Sequence, residues 1–179
     1  DHTVTMGSPK IGMFLEPGKS HCGLINPIDI GLPKNFKNKN SFDWSLLEND
    51  QISSMVHKLD KKTHKYKQGK VLVLAGSIGM TGAAYLSTMG ALKSGAGITK
   101  TFAPRSLNSI YEKKITEGMT VVCDDLGNGC FIEDNFHTIM NQIDWCDVII
   151  IGPGLGSNPN TITLLSKLIK EINKPLVID

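Results

Sequence analysis

Val71-Leu72-Val73-Leu74-Ala75-Gly76-Ser77-Ile78-Gly79-Met80-Thr81-Gly82-Ala83-Ala84 decides the architecture. Five apolar residues in a row, without polar alternation, predict a strand covered on both faces. Glycines then interrupt the chain, and Ala83, Leu86, Met89 (or Gly90) and Leu92 recur at helical spacing until Gly95-Ala96-Gly97 ends the run. The spacing predicts a helix over 82–94. Downstream the alternation repeats, with strands at 98–103, 119–123, 147–151 and 175–179. Helices are predicted between them at 107–115, around Phe136, Ile139, Met140 and Ile143, and over 160–172. Glu133 and Asp134 suit the positive N-terminal end of the second of these. Such alternation predicts an α/β fold, a parallel sheet joined by right-handed crossovers with helices on both faces. The sequence stops on a strand, so the sheet is expected to be incomplete at the C-terminus.

Upstream the pattern is different. Residues 1–70 carry 11 lysines against 7 acidic residues, whereas 71–179 carry 8 basic and 10 acidic ones. Short extended pieces are expected at 3–6, 11–15 and 24–30, broken by Gly7, Pro9, Pro17-Gly18, Pro27 and Gly31-Leu32-Pro33. The polar stretch from Lys34 to Ser41 reads as a linker. Asn49-Asp50 is expected to cap a short helix carrying Ile52, Met55, Val56 and Leu59. Between 58 and 70 lie six lysines. They form either a solvated lead-in to the strand or a positive rim beside a phosphate-rich ligand.

Composition excludes several classes. The chain has 179 residues, 40% of them apolar, enough to fill a core. A net charge of +2 and 6% aromatics argue against a nucleic-acid binder, which needs a basic excess or stacking platforms. The apolar runs at 71–75 and 148–151 are too short to cross a bilayer. With no start Met and no leader-like segment at Asp1-His2-Thr3-Val4, the expectation is a fragment of a longer, cytoplasmic protein. Cys22, Cys123, Cys130 and Cys146 show neither zinc-type pairing nor a disulfide framework, and reduced, mostly buried thiols are expected.

In an open parallel sheet ligands gather beyond the carboxyl ends of strands. Two such ends are rich in glycine: 75–84, with Gly76, Gly79 and Gly82, and 151–159, with Gly152-Pro153-Gly154-Leu155-Gly156. Glycine there admits unusual backbone angles and lets a ligand reach main-chain N–H groups. The helix starting near Gly82 adds unpaired donors and the positive end of its dipole, with small Ala83 and Ala84 expected to leave it uncovered. Ser157 or Asn158 can cap the second helix, with Pro159 in its first turn. Tight turns with close strand–helix packing would also explain both loops. Neither is a P-loop or a dinucleotide fingerprint: no lysine follows Gly82, and Gly152-x-Gly154-x-Gly156 has the wrong spacing.

The segment 64–77, then Thr81-Gly82-Ala83-Ala84, then Leu92-Lys93-Ser94-Gly95-Ala96-Gly97 and Gly152-Pro153-Gly154-Leu155-Gly156, resembles the NAD(P)H-hydrate dehydratases of the ribokinase-like superfamily. One departure is His64-Lys65-Tyr66, where the family has His-Lys-Gly. Residues 1–33 resemble the C-terminal tail of an NAD(P)H-hydrate epimerase domain, through Asp1–Gly7, Pro9-Lys10-Ile11-Gly12, Pro17-Gly18 and Asp29-Ile30-Gly31-Leu32-Pro33. The resemblance implies an epimerase tail at 1–33, a linker at 34–44 and the N-terminal part of a dehydratase domain at 45–179.

It further implies a repair reaction in which the S-epimer of NAD(P)H hydrate loses water at the expense of ADP or ATP, with Mg2+, while the R-form is epimerised by a K+-dependent partner domain. Ala83 and Gly156 would contact the hydrate, supported by Gly82 and Gly154. The catalytic aspartate and most of the nucleotide site are expected beyond Asp179, and the epimerase's own carboxylate and K+ ligands before Asp1. No catalytic or metal-binding residue is therefore assigned. Asp179, His57, His64 and His137 read as incidental or surface residues, and Arg105 either faces phosphate or caps a helix start. Partners are then NAD(P)H hydrate and ADP/ATP, without nucleic acid or membrane, in a homo-oligomer. A ribokinase-like kinase for a small alcohol such as a vitamin precursor, or a nucleotide-binding module without turnover, are the competing readings.

Overall fold

The computed structural model describes residues 1–33, 44–56 and 62–179. Its contacts divide the chain into two compact units, Asp1–Lys58 and Leu59–Asp179. His57 and the linker expected over 34–44, Trp44 excepted, lie outside the described residues.

In the first unit β1 (His2–Met6) pairs in parallel with β2 (Leu24–Ile28), His2 opposite Leu24 and Met6 opposite Ile28. Parallel neighbours need a crossover, here a 3₁₀ turn at Ile11–Met13 followed by α1 (Gly18–Cys22). The extended piece expected at 11–15 is thus a turn, and α1 was not foreseen. The cause is local: Met13 and Phe14 donate N–H groups to Lys10 and Ile11 carbonyls, at 2.9 and 3.0 Å. The Lys10 ammonium secures the entry to it with bonds of 2.8–2.9 Å to Thr5 Oγ1 and the Met6 and Ser8 carbonyls. Further on, α2 (Asn49–Met55) starts from Glu48 rather than from an Asn49-Asp50 cap. Gln51 Oε1 reaches back to accept the Glu48 N–H at 3.1 Å, a bond that puts the helix start one residue earlier. Val56 ends the helix, and Leu59 lies outside the described residues.

The second unit alternates strands and helices in the expected order. They are β3 (Lys70–Leu74), α3 (Thr81–Lys93), β4 (Ile98–Pro104), α4 (Asn108–Lys114), β5 (Met119–Cys123), α5 (Phe136–Ile143), β6 (Val148–Ile151), α6 (Pro159–Glu171) and β7 (Leu176–Ile178). All strands are parallel in the spatial order β5-β4-β3-β6-β7, with Val71 opposite both Thr99 and Val148. Side chains of a strand point alternately to its two faces, and β3 serves two cores this way. Leu72 and Leu74 join Phe102, Ile149, Ile139, Leu164 and Leu168 on one side. Val73 and Ala75 join Ala84, Ala103, Tyr111 and Ile115 on the other. Helices α5 and α6 supply the first core, and α3 and α4 the second, so both faces are covered. At the sheet edge Val177 and Ile178 are exposed.

Helix α3 turns a different face inward from the one expected. Ala84 and Thr88 are fully buried, whereas Leu86 is 69% exposed. Thr88 Oγ1 donates to the Ala84 carbonyl at 2.8 Å and lies 2.6 Å from Thr101 Oγ1. A hydroxyl satisfied this way costs little to bury. The small face then seats the helix against the sheet, which apolar periodicity alone does not reveal. Leu72→Ala is expected to lower unfolding free energy by about 2–5 kcal/mol and Leu86→Ala by less than about 0.5 kcal/mol. Denaturant titration followed by circular dichroism checks both, and equal losses would contradict this assignment of faces.

Candidate functional site

The strand order places β4 and β5 on one side of β3, and β6 and β7 on the other. Connections therefore run in opposite directions from the β3–β6 boundary. In an open α/β sheet that boundary leaves a crevice beyond the carboxyl ends of the strands. Both glycine loops leave from it, one after β3 and the other after β6.

Main-chain bonds join the two loops. Gly76 N–H donates to the Pro153 carbonyl at 2.7 Å, and Gly152 N–H to the Leu74 carbonyl at 3.2 Å. Ser77 is 4% exposed, and its hydroxyl donates to the Gly154 carbonyl at 2.8 Å. Gly76 and Gly154 are demanded sterically. Gly76 has φ +77°, and a Cβ there would strike the Tyr111 hydroxyl. Tyr111, buried, donates to the Ala75 carbonyl at 3.0 Å, and burial raises its phenol above the ordinary range, so it remains a neutral donor. Gly154 has φ +66°, and a Cβ on it would sit 2.6 Å from the Ala83 Cβ.

The structure thus brings Ala83 and Gly154 into contact, with Gly82 next to them on the first turn of α3. Gly156 lies close by: a Cβ there would be 3.3 Å from Met80 Cε and 3.5 Å from Ser77 Oγ. Gly82 needs no unusual backbone angle, contrary to expectation, and a Cβ on it would meet nothing within 4 Å. Its bareness leaves open space at the helix start. Ala84 does not help to uncover that end, because it is wholly in the core. The Gly82 and Gly156 amides have no acceptor among the described residues. At the second helix Asn158, not Ser157, is the cap: its Oδ1 accepts the Asn160 N–H at 2.9 Å, with Pro159 in the first turn.

A third loop, after β5, was missed in the sequence. Asp125 is 1% exposed and accepts from Gly129 N–H at 2.9 Å, Gly127 N–H at 3.2 Å, and Ser106 through both its N–H and its hydroxyl. Burial pushes the carboxyl up, but these bonds outweigh it and hold Asp125 below the usual carboxylate range. The Asp124-Asp125-Leu126-Gly127-Asn128-Gly129 run was the available signal, a turn-rich acidic stretch at a strand end. Ser77, Tyr111 and Met80 gave no signal of their own.

Of the other described candidates, Asp179 adjoins the second glycine loop, its N–H donating to the Ile151 carbonyl at 3.1 Å, and the rest stand apart from this chemistry. Arg105 forms an exposed 4.0 Å pair with Asp124, and a pair so solvated adds little. His64 and His137 are exposed beside Tyr66 and Phe136, and Asp179 is exposed beyond β7. All four cysteines are free, and three are buried. Burial pushes the Cys123 thiol up to about 12 and raises Cys146, so neither is a thiolate at neutral pH. Among the described residues no group of three or more His, Cys, Asp and Glu side chains is placed to hold a metal, and no helix is long and apolar enough to cross a membrane.

Residues 71–179 match the family model of the NAD(P)H-hydrate dehydratases. A bifunctional NAD(P)H-hydrate repair enzyme of Moorella thermoacetica is 34% identical over 177 residues, covering 99% of this chain and 33% of that protein. One from Dictyoglomus turgidum is 29% identical over 187 residues, covering 100% and 35%. The chain thus spans about a third of the length of the curated relatives it matches. Among solved structures, a ribokinase-like superfamily protein of Enterococcus faecalis superposes with a TM-score of 0.60 at 23% identity, over 74% of this chain and 43% of that one. The ADP/ATP-dependent NAD(P)H-hydrate dehydratase of Bacillus subtilis, co-crystallised with ATP and Mg2+, gives 0.56 at 22%, over 73% and 43%. These likenesses establish the ribokinase-like fold.

Gly154→Ala should cost about 1–3 kcal/mol in thermal or denaturant unfolding, because it adds both strain and a clash. Asp125 gives a pH signature. Its folded pKa lies below the unfolded value of about 3.9, so its contribution to stability is complete above that value and is lost as pH falls through the depressed folded pKa. Asp125→Asn should be less stable than wild type at neutral pH, with the gap narrowing on acidification. A gap that does not change with pH would show that the carboxylate is not the source.

Proposed function

Because the chain belongs to the NAD(P)H-hydrate dehydratase family, we propose that the complete protein restores NAD(P)H by dehydrating the S-epimer of its hydrate at the expense of ADP or ATP. The observation that carries this reading is the meeting of Ala83 and Gly154 at the β3–β6 boundary, beside unpaired amides. Ala83 and Gly156 contact the hydrated dinucleotide, and Gly82 and Gly154 keep side chains out of its way. Backbone donors and the start of α3 orient its polar groups, with no proton transfer by these four residues.

Hydroxide is a poor leaving group. Phosphorylation of the ring hydroxyl converts it to a better one, which the ring nitrogen's electron pair expels as phosphate. A proton leaves the adjacent carbon as the double bond re-forms. What the nucleotide supplies, together with Mg2+, is the phosphoryl group and charge neutralisation around it. The described residues contain no metal-ligand cluster, so Mg2+ is assigned to none of them. The part of this chain is to hold and orient the hydrate while the phosphoryl acceptor stays in place.

We read residues 1–33 as the tail of an epimerase domain and 45–179 as the start of the dehydratase domain. In support, the bifunctional relatives align over 99–100% of the chain while the family model begins at residue 71. Epimerisation of the R-form, with K+, belongs to that preceding domain. The same reading makes the protein cytoplasmic and a homo-oligomer, the latter checked by light scattering on the purified protein.

The test is to supply the complete protein with NADH hydrate and ADP or ATP and follow the return of NADH absorbance. A panel of small alcohols, vitamin precursors included, is run beside it. NADH recovery is expected. Phosphorylation of an alcohol without recovery would replace this reading with a kinase. Gly82→Ala should keep its stability, since the added methyl meets nothing and alanine favours helix by up to about 1 kcal/mol. It should nonetheless bind the hydrate more weakly, as a rise in KM. An unchanged KM would remove the helix start from the site.

A further inference from the structure

The loop after β5 does more than close its own turn. Asp125 draws together two neighbouring strand exits, because Ser106 follows β4 and Gly127 and Gly129 follow β5. Four donors converge on one buried carboxylate. From that ring the Gly129 carbonyl reaches over to the exit of β3 and accepts the Ile78 N–H at 2.7 Å. Contact at this point is close, since a Cβ on Gly129 would lie 2.7 Å from the Ile78 Cβ. Ile78 sits in the first glycine loop, one residue beyond Ser77, whose hydroxyl holds the Gly154 carbonyl. A continuous path of hydrogen bonds therefore runs from Ser106 through Asp125, Gly129 and the Ile78 segment to Gly154.

A second observation shows that this loop is held rather than merely resting. Leu126, between the bonded residues, has φ +51° and a side chain 73% exposed. Among the described residues it is the only non-glycine with a positive φ. A bulky residue in the left-handed region carries strain that persists only where its surroundings over-determine the backbone. Here those surroundings are the Asp124 carboxylate on the Leu126 N–H, at 3.3 Å, and the Asp125 ring on either side. Packing of Leu126 does not account for the conformation, because its side chain is in solvent.

We infer that Asp125 is a positioning residue for the first glycine loop: through Gly129 and Ile78 it sets where Ser77–Ala83 stands against Gly154, and hence the shape offered to the dinucleotide. It touches no substrate itself. The kinetic readout rests on the dehydratase reading, whereas the structural link does not.

The experiment uses the complete protein and two substitutions, Asp125→Asn and Gly129→Ala. The first replaces an acceptor that takes several N–H groups by an amide with one donor end; the second drives a methyl into Ile78. Both are expected to raise KM for NADH hydrate by roughly tenfold or more while leaving KM for ADP or ATP within about twofold, since a misplaced contact surface weakens the ligand it shapes. A purely structural role would instead lower the active fraction, reducing kcat with both KM values unchanged, and that outcome overturns the inference.

Amide hydrogen exchange at Ile78 is measured in parallel on wild type and both variants. Protection in wild type and faster exchange in Asp125→Asn are expected, and unchanged exchange overturns the link. Should wild type fail to return NADH, the dehydratase reading falls, and exchange alone decides on Asp125. Should either variant fail to fold, the other and the wild-type protection at Ile78 decide it.

Discussion

Strand β3 is sheltered on every side. Its faces bury Leu72 and Leu74 into one core and Val73 and Ala75 into the other, and both its edges are taken, by β4 and β6. A strand so enclosed offers a ligand nothing along its length. Only its exit is available, and there the chain must turn out of a closely packed layer without blocking the helix that follows. The demand for glycine at 76, the buried Tyr111 hydroxyl beneath it and the small inward face of α3 are consequences of this enclosure.

The same constraint shapes the chemistry. Where two strand exits stand side by side, the chain places the small residues Gly76, Ser77, Ala83, Gly154 and Gly156, with the Met80 side chain reaching Gly156. In the function proposed above, recognition falls to the backbone, whose N–H dipoles are fixed before any ligand arrives and need no reorganisation. Such a surface discriminates by fit. It suits the binding half of a phosphoryl-assisted elimination, in which a reactive group supplied from elsewhere must find its acceptor already oriented.

Much of this was legible in the residues. Uninterrupted apolar runs marked buried strands, glycine and proline marked their ends, and the order of elements came out within a residue or two at most boundaries. The two loops were legible as a pair because each combines glycines with a strand end. What escaped depends on partners distant in sequence. Periodicity names strands but not their neighbours, so the reversal at β3–β6 was invisible. The face of α3 was misjudged because Thr88 is polar in composition yet satisfied by Ala84 and Thr101. Asp125 was missed, since its burial depends on Ser106, 19 residues earlier. At 11–13 backbone bonds over three residues, and at Glu48 a bond to the Gln51 side chain, prevailed over propensity.

The bond between Ser77 and Gly154 spans 77 residues of chain. Closing a loop of that length has an entropic cost that nearby contacts cannot offset, and it is met only once the intervening segments have condensed. The crevice is therefore a late product of folding: β3, β4 and β5 can associate in sequence, but β6 must return across them before the two tips meet. During synthesis, when the chain emerges from its N-terminus, the first tip is made long before its counterpart exists. In the function proposed above, competence to hold a dinucleotide then belongs to the β3–β6 pairing and to neither loop alone.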